Sequence, residues 1–216
     1  TDIAGAADFA HAVALGPDGT IVVAGRVSDS GGSGEQFGVV RYDDHGQPDE
    51  TFGDAGVAIP PFTFGGIADG VAVQSDGSVV VVGSTVGDVA LARLDPQGNM
   101  DANFGAGGLV TTDFGLLNGP FPASEFGQDL AIEPDGHIVV AATTQANGSG
   151  DLAVVRYDAT GTPDPSFDGD GILTVDFAGG FDAGNDVALQ PDGKVVVVGS
   201  AVSGFSVQTA LVRMID

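Results

Sequence analysis

The sequence predicts an all-β protein, a β-propeller of four repeats with four antiparallel strands in each. Three observations predict it. One β-hairpin is written four times, as VALGPDGTIVVAG (13–25), VAVQSDGSVVVVG (71–83), LAIEPDGHIVVAA (130–142) and VALQPDGKVVVVG (187–199). Its turn glycines, Gly19, Gly77, Gly136 and Gly193, recur about every 58 residues, the kind of fixed period that marks a tandem architecture. Finally, no stretch carries a useful helical period, while 36 Gly and 11 Pro punctuate short extended runs.

The first strand of each repeat alternates large residues with Ala, as in Val13-Ala14-Leu15 and Val187-Ala188-Leu189. That period of two belongs to a strand whose small face lies against a close neighbour, which places it innermost. At the turn, Pro17, Pro134 and Pro191 pre-set φ, the Asp caps the turn, and Gly takes the left-handed position that closes a bulged hairpin. Ser75 replaces the proline in the second copy. The second strand, such as Val79–Val82 or Val195–Val198, is a continuous β-branched run, the mark of burial on both faces.

The third strand carries a recurrent arginine, Arg41, Arg93, Arg156 or Arg213, followed two residues later by Asp43, Asp95 or Asp158 in three copies. Repetition in every unit favours a structural arginine, forking to turn carboxylates or carbonyls between blades. The fourth segment reads VTTDFG (110–115) and LTVDFAGG (173–180), with a weaker relative, VAIPPFTFGG (57–66), that lacks the Asp. Residues 116–125, LLNGPFPASE, read as an insertion. Four such strands repeated in tandem point to one sheet per repeat in a propeller, since a β-helix needs shorter coils and a sandwich does not repeat itself.

The strings D-x-S-F-x-G-D-G (164–171), T-x-D-F (174–177), the hairpin at 187–199 and V-V-R-Y-D-x-x-G-x-x-D (154–164) together resemble the delta-60 repeat family. The resemblance covers essentially the whole chain. It implies propeller blades of a large bacterial protein, secreted or on the cell surface, and it implies no shared catalytic residues.

The opening stretch TDIAGAADFA matches TVDFAGGFDA, and the last repeat ends after its third strand. Ring closure by strand exchange is therefore expected, with Thr1–Ile3 completing the last blade and removing two sheet edges. Residues 1–216 are read as one propeller domain. It is either a closed four-bladed monomer or part of a larger ring, as a fragment or half of a homodimer.

Thirty acidic residues face six basic ones, a net charge of -24. Phosphate binding needs a basic face, so nucleic acid is excluded as a partner, and anionic membrane surfaces with it. No apolar run approaches the ~18 residues of a membrane span, which excludes membrane insertion. Protein, glycan and cationic ligands are the partner classes left open. Cysteine is absent, and with it any thiol nucleophile, disulfide or thiolate metal site.

Two candidate sites stand out. The residues ahead of each first strand, His11, Asp69, Gln128-Asp129 and Asn185-Asp186, fall near one mouth of a propeller channel, where converging polar groups bind a cation or small ligand. The D-x-D-G fragment at Asp168 and Asp170 offers oxygen ligands to calcium, although the full calcium loop is missing and turn chemistry explains both residues as well. The linear enzyme signatures G-x-S-x-G and H-E-x-x-H and the phosphate loop are absent, and His45 and His137 sit in turns. The expected function is a non-enzymatic, secreted or surface-borne binding module, stabilised by calcium. The alternatives are a propeller hydrolase or lyase with a metal-assisted site at the channel mouth, and a spacer from a longer array.

Overall fold

The computed structural model describes residues 1–3, 5, 7–28, 34–118, 121–146, 149–177 and 179–214. Ala4 and Ala6 of the opening stretch, Gly119 and Pro120 of the insertion, Ala178 of LTVDFAGG and the final two residues lie outside the described set. Four antiparallel sheets account for the four repeats, each running through its strands in chain order. The first contains β1 (Asp8–Leu15), β2 (Ile21–Ser28), β3 (Glu35–Tyr42) and β4 (Val57–Ala58). The second contains β5 (Ile67–Val73), β6 (Val79–Thr85), β7 (Asp88–Leu94) and β8 (Leu109–Thr112). A two-stranded ribbon, β9 (Leu117–Asn118) and β10 (Phe121–Pro122), occupies most of the expected insertion. The third sheet contains β11 (Ser124–Ile132), β12 (Ile138–Gln145), β13 (Asp151–Tyr157) and β14 (Ile172–Val175). The fourth contains β15 (Asp182–Leu189), β16 (Val195–Ser203) and β17 (Ser206–Met214). No helix among the described residues is long and apolar enough to cross a membrane.

The chain forms two compact units, Thr1–Val86 with Ala90–Thr111, and Gly87–Val89 with Thr112–Asp216. The core of the first is built on Val22, Phe37, Val39, Phe52, Val79 and Val81, and that of the second on Val139, Leu152, Val154 and Val197. The β-branched run Val79–Val82 is fully buried, as its continuity requires. The alternation in β1 also holds: Ala12 and Ala14 pack against the core, while Val13 and Leu15 are exposed.

The four hairpin turns are near copies. In each, the N–H of the turn glycine donates three residues back, to Gly16, Gln74, Glu133 or Gln190, and that same residue's N–H donates across to the returning strand. The glycines have φ of 87, 88, 93 and 86°. This is the left-handed position that glycine takes at no steric cost. Ser75 changes nothing in this geometry, because the proline only pre-sets a φ that other residues reach.

The fourth sheet shows three strands among the described residues. The opening residues lie on the first sheet, with Thr1 Oγ1 2.6 Å from the Tyr42 hydroxyl and Ile3 N–H donating to Asp8 Oδ2 at 2.8 Å. β4 is shorter than its counterparts, because Pro60 and Pro61 have no N–H to extend the ladder.

Candidate functional site

The first strand of every repeat begins earlier than the periodicity suggests and carries a β-bulge. The ladder skips one residue between Ala10 and Ala12, Ala68 and Gly70, Gly127 and Asp129, and Gly184 and Asp186. The skipped residues are His11, Asp69, Gln128 and Asn185. Candidate residues placed ahead of the strand therefore lie inside it, these four at its one irregular position and Asp129 and Asp186 at the next, paired one. A bulge leaves its residue unpaired and re-aims the side chain, which is why bulges gather at functional positions. Glycine opposite the bulge makes room for it: a Cβ on Gly25, Gly83 or Gly199 would fall within 1.9, 1.9 and 1.7 Å of a carbonyl oxygen of the bulged strand. In the third repeat Ala142 stands there, opposite Gly127.

In each unit the bulges of its two sheets come together. In the first unit, His11 Nδ1 lies 2.9 Å from Asp69 Oδ1. Burial raises the Asp69 carboxyl above its ordinary range, against the pull of His11. In the second unit the meeting pair is one residue further on. Asp129 and Asp186 share a hydrogen bond between carboxyls, and Val187 N–H donates to Asp129 Oδ2 at 3.2 Å. Burial, and then Asp186, push the Asp129 carboxyl up to about 6, so Asp129 keeps its proton in mildly acidic solution. Gln128 is half-buried and Asn185 exposed, and neither joins these contacts.

Asp168 and Asp170 are both exposed. Asp170 Oδ1 accepts the Ile172 N–H at 2.9 Å, a turn cap, and Asp168 occupies left-handed backbone at φ 47°. Among the described residues, three carboxylate or histidine clusters bring three ligand atoms within 4.8 Å of one another: Asp43–Asp44–His45, Glu133–Asp135–His137 and Asp151–Asp176–Asp182. Asp168 and Asp170 belong to none of them. No spacing within the DGDG turn announced the third cluster, whose members come from three separate elements.

The recurrent arginines at 41, 93 and 156 fork to turn carboxylates, and Arg41 also to the Pro96 carbonyl of the next repeat, while the Asp two residues on serves its own loop. Asp43, Asp95 and Asp158 each turn one oxygen onto two backbone N–H groups of their own loop. Arg41 Nε and Arg93 Nε instead donate to Asp49 and Asp101, both at 2.8 Å, while Arg156 reaches Glu133 at 2.7 Å and Asp164 at 3.2 Å. An open cavity of about 370 Å³ in the first unit is lined by Asp18, Asp76, Pro96 and Arg41. Arg41 is already committed to Asp49 and to the Pro96 carbonyl, so the lining offers acids to a ligand.

Comparison with known proteins agrees with this architecture. No curated protein matches the chain. Among solved structures, a protein of unknown function from Bacteroides caccae superposes with a TM-score of 0.50 at 10% identity, over 96% of this chain and 61% of that one. This chain thus spans about three fifths of that protein's length, and the likeness concerns the fold. A family described as a domain of unknown function (DUF5122) beta-propeller matches residues 16–52, 74–104, 133–167 and 190–213, one segment per repeat. Those segments begin at or just before the Asp-Gly turn and take in the second and third strands, so the chain belongs to the DUF5122 β-propeller family.

Proposed function

We propose that this chain is a non-enzymatic binding module of a bacterial propeller protein, secreted or carried on the cell surface, that takes a cationic ligand at its bulged strands. One observation supports this reading above the others. Four repeats place a bulge at the same point, and in each unit the bulged strands bring an aspartate against a second ionisable side chain, Asp69 beside His11 and Asp129 beside Asp186. A net charge of -24 draws cations and basic protein surfaces towards such groups and repels nucleic acid and anionic membranes. The delta-60 resemblance adds the bacterial, exported setting. The reading takes the repeats as one domain, and solution mass separates a monomer from a homodimer.

Calorimetric titration of the chain with a lysine oligopeptide tests it. The wild type binds, and Asp129→Asn with Asp186→Asn weakens binding about tenfold, the loss expected of a charge pair at a binding surface. Absence of binding by the wild type, or equal affinity in the double variant, overturns it. A second reading draws on the same pair: a carboxyl that keeps its proton to about 6, as Asp129 does, is equipped for acid–base work in a hydrolase or lyase. Turnover of ester or glycoside substrates that disappears in Asp129→Asn would favour that reading instead.

A further inference from the structure

Within each unit, one joint between sheets is built from the same repeat positions. In the first unit, Val22, Ala24 and Val39 of β2 and β3 share a buried core with Val71 of β5. In the second, Val139, Ala141 and Val154 of β12 and β13 share one with Val187 of β15. The hairpin registers show that these are equivalent residues: Val71 and Val187 lie opposite Val81 and Val197, and Val39 and Val154 opposite Ala24 and Ala141. A joint thus has two halves, the face of the second and third strands of one sheet and the first strand of the next.

Each half occurs once more without its counterpart. On the first sheet, Val13 lies opposite Val23, the place of Val71 and Val187, yet it is 66% exposed, with Leu15 at 73%. On the fourth sheet, Leu211 lies opposite Val198, the place of Val39 and Val154, and it is 58% exposed. Val196 and Val198, the places of Val22 and Ala24, are only half-buried. The alternate residues Ala12 and Ala14, or Ala210 and Val212, pack on their own cores, so the bare residues share the opposite face. Apolar side chains that are buried at the same position in sister repeats and bare here mark a surface that a partner covers.

The opening residues show what covers it. Thr1 Oγ1 meets the Tyr42 hydroxyl as Thr112 Oγ1 meets that of Tyr157. Ile3 N–H donates to Asp8 Oδ2 as Phe177 N–H donates to Asp182 Oδ2. Asp2 accepts the Gly5 N–H as Asp113 and Asp176 accept those of Gly115 and Gly179. Thr1–Ile3 therefore lies on the first sheet where the end of a fourth strand lies against the sheet that follows it. In the third sheet the residue at the place of Thr1 is Val175, paired with Leu152 of β13. The place of Leu152 on the fourth sheet is Thr209 of β17, which has no fourth strand beside it among the described residues. The first sheet thus carries a strand end that lacks its third strand, and the fourth sheet a third strand that lacks its strand end.

We propose that the bare face of the fourth sheet, Val196, Val198 and Leu211, docks the first sheet of a second copy of this chain through Val13 and Leu15, in the joint found within each unit, with Thr1 of that copy opposite Thr209. Each copy carries both halves, so two copies fill two joints and leave neither face bare. Eight sheets in succession is within the number that propellers take. Burial of the apolar faces drives the association against repulsion between two chains of net charge -24, so added salt strengthens it. The joint does not rest on the ligand proposed above.

Light scattering of the full chain over a concentration series tests the proposal. The wild type is expected at twice the chain mass, and Val13→Asp and Leu211→Asp should each weaken association about tenfold or more, because either places a charge in an apolar joint. Both residues are exposed in the single chain, so circular dichroism should show the fold unchanged. The absence of cysteine allows a second measurement. Oxidising a mixture of Thr1→Cys chains and Thr209→Cys chains should give a covalent dimer containing one of each, since residues paired across strands come within disulfide reach. A monomer at every concentration, or association that both aspartates leave unchanged, overturns the proposal. So does a chain carrying both cysteines that closes on itself as a covalent monomer, which would assign the joint to the chain's own two end sheets.

Discussion

Arg93 Nε donates to Asp101 Oδ2 at 2.8 Å, and the same guanidinium lies 4.5 Å from the centre of the Phe104 ring. The loop beyond β7 closes around this contact: Asp101 N–H donates to the Arg93 carbonyl, Phe104 N–H to the Asp101 carbonyl, and Arg93 N–H to Gly108. The same bonds recur around Arg41 and Arg156. The first three repeats thus each tie the third strand to the following loop with one arginine, one aspartate and one phenylalanine.

Asp101→Ala should destabilise the protein by about 3 kcal/mol, because it leaves the largely buried Arg93 charge without its carboxylate. Asp95→Ala removes only a cap on two backbone N–H groups of an exposed turn and should cost about 1 kcal/mol. Thermal melting of the two variants separates them by several degrees. Equal losses would show that the ion pair contributes no more than a turn cap. The Asp101 carboxyl is held below its ordinary value by the Asn103 N–H and by Arg93. Its contribution is therefore present above the unfolded carboxylate range and lost as pH falls through the lowered folded value.

Gly83→Ala should be among the most damaging single-methyl changes in the chain. Its Cβ would fall 1.9 Å from the Ile67 carbonyl oxygen, a contact only backbone movement relieves, and a cost of at least about 3 kcal/mol is expected. Gly77→Ala isolates the other use of glycine. At φ 88° with nothing nearer than 3.5 Å, it meets strain and no clash, and should cost about 1 kcal/mol. Denaturant midpoints of the two variants provide the comparison. A Gly83 loss as small as that of Gly77 would mean the bulge tolerates a methyl group.

These contrasts show which parts of the fold were legible in the sequence. The Pro-Asp-Gly turn was, because its chemistry is local: the Asp, the left-handed Gly and the hairpin bond all lie within a few residues. The bulges were not, since register is a relation between two strands. Their trace was the glycine closing IVVAG and VVVVG, which reads equally well as a strand end. That each arginine would fork to a turn carboxylate was legible, but which one was not, because Asp43 and Asp95, the nearest in sequence, are occupied by their own loops. The bare half-joints were hidden for another reason. Val13 and Leu211 read as ordinary apolar strand residues, and only burial, which depends on chain far away in sequence, separates them from Val71 and Val154.

The Asp129–Asp186 pair predicts a pH dependence with a definite sign. Asp129 is raised to about 6 in the folded protein, so the fold binds its proton more tightly than the unfolded chain does. Its contribution to stability is then fully present below the unfolded carboxylate range, near pH 4, and is lost as pH rises through about 6. Asp129→Asn mimics the protonated carboxyl. Its Tm should match the wild type near pH 4 and exceed it above pH 7, measured in chelator to exclude bound ions. A Tm difference that does not change with pH would rule out a shared proton.

The last prediction concerns Val86, in the two-residue turn between β6 and β7. It has φ 50°, with Gly87 at 95°, so both turn residues occupy left-handed backbone as a type I′ hairpin requires. A β-branched side chain is poorly suited to that region, where Asn and Gly are the favoured residues. Val86 is 72% exposed, so its side chain recovers little from packing. Replacing it should relieve strain without opening a cavity. Val86→Asn is expected to stabilise the protein by about 1 kcal/mol, a rise in Tm of roughly 2–4 °C for a chain of this size. Val86→Ala keeps a Cβ in the same backbone and should recover less. If Asn and Ala raise Tm equally, the gain comes from removing an exposed apolar group, and the left-handed turn is not what strains the valine.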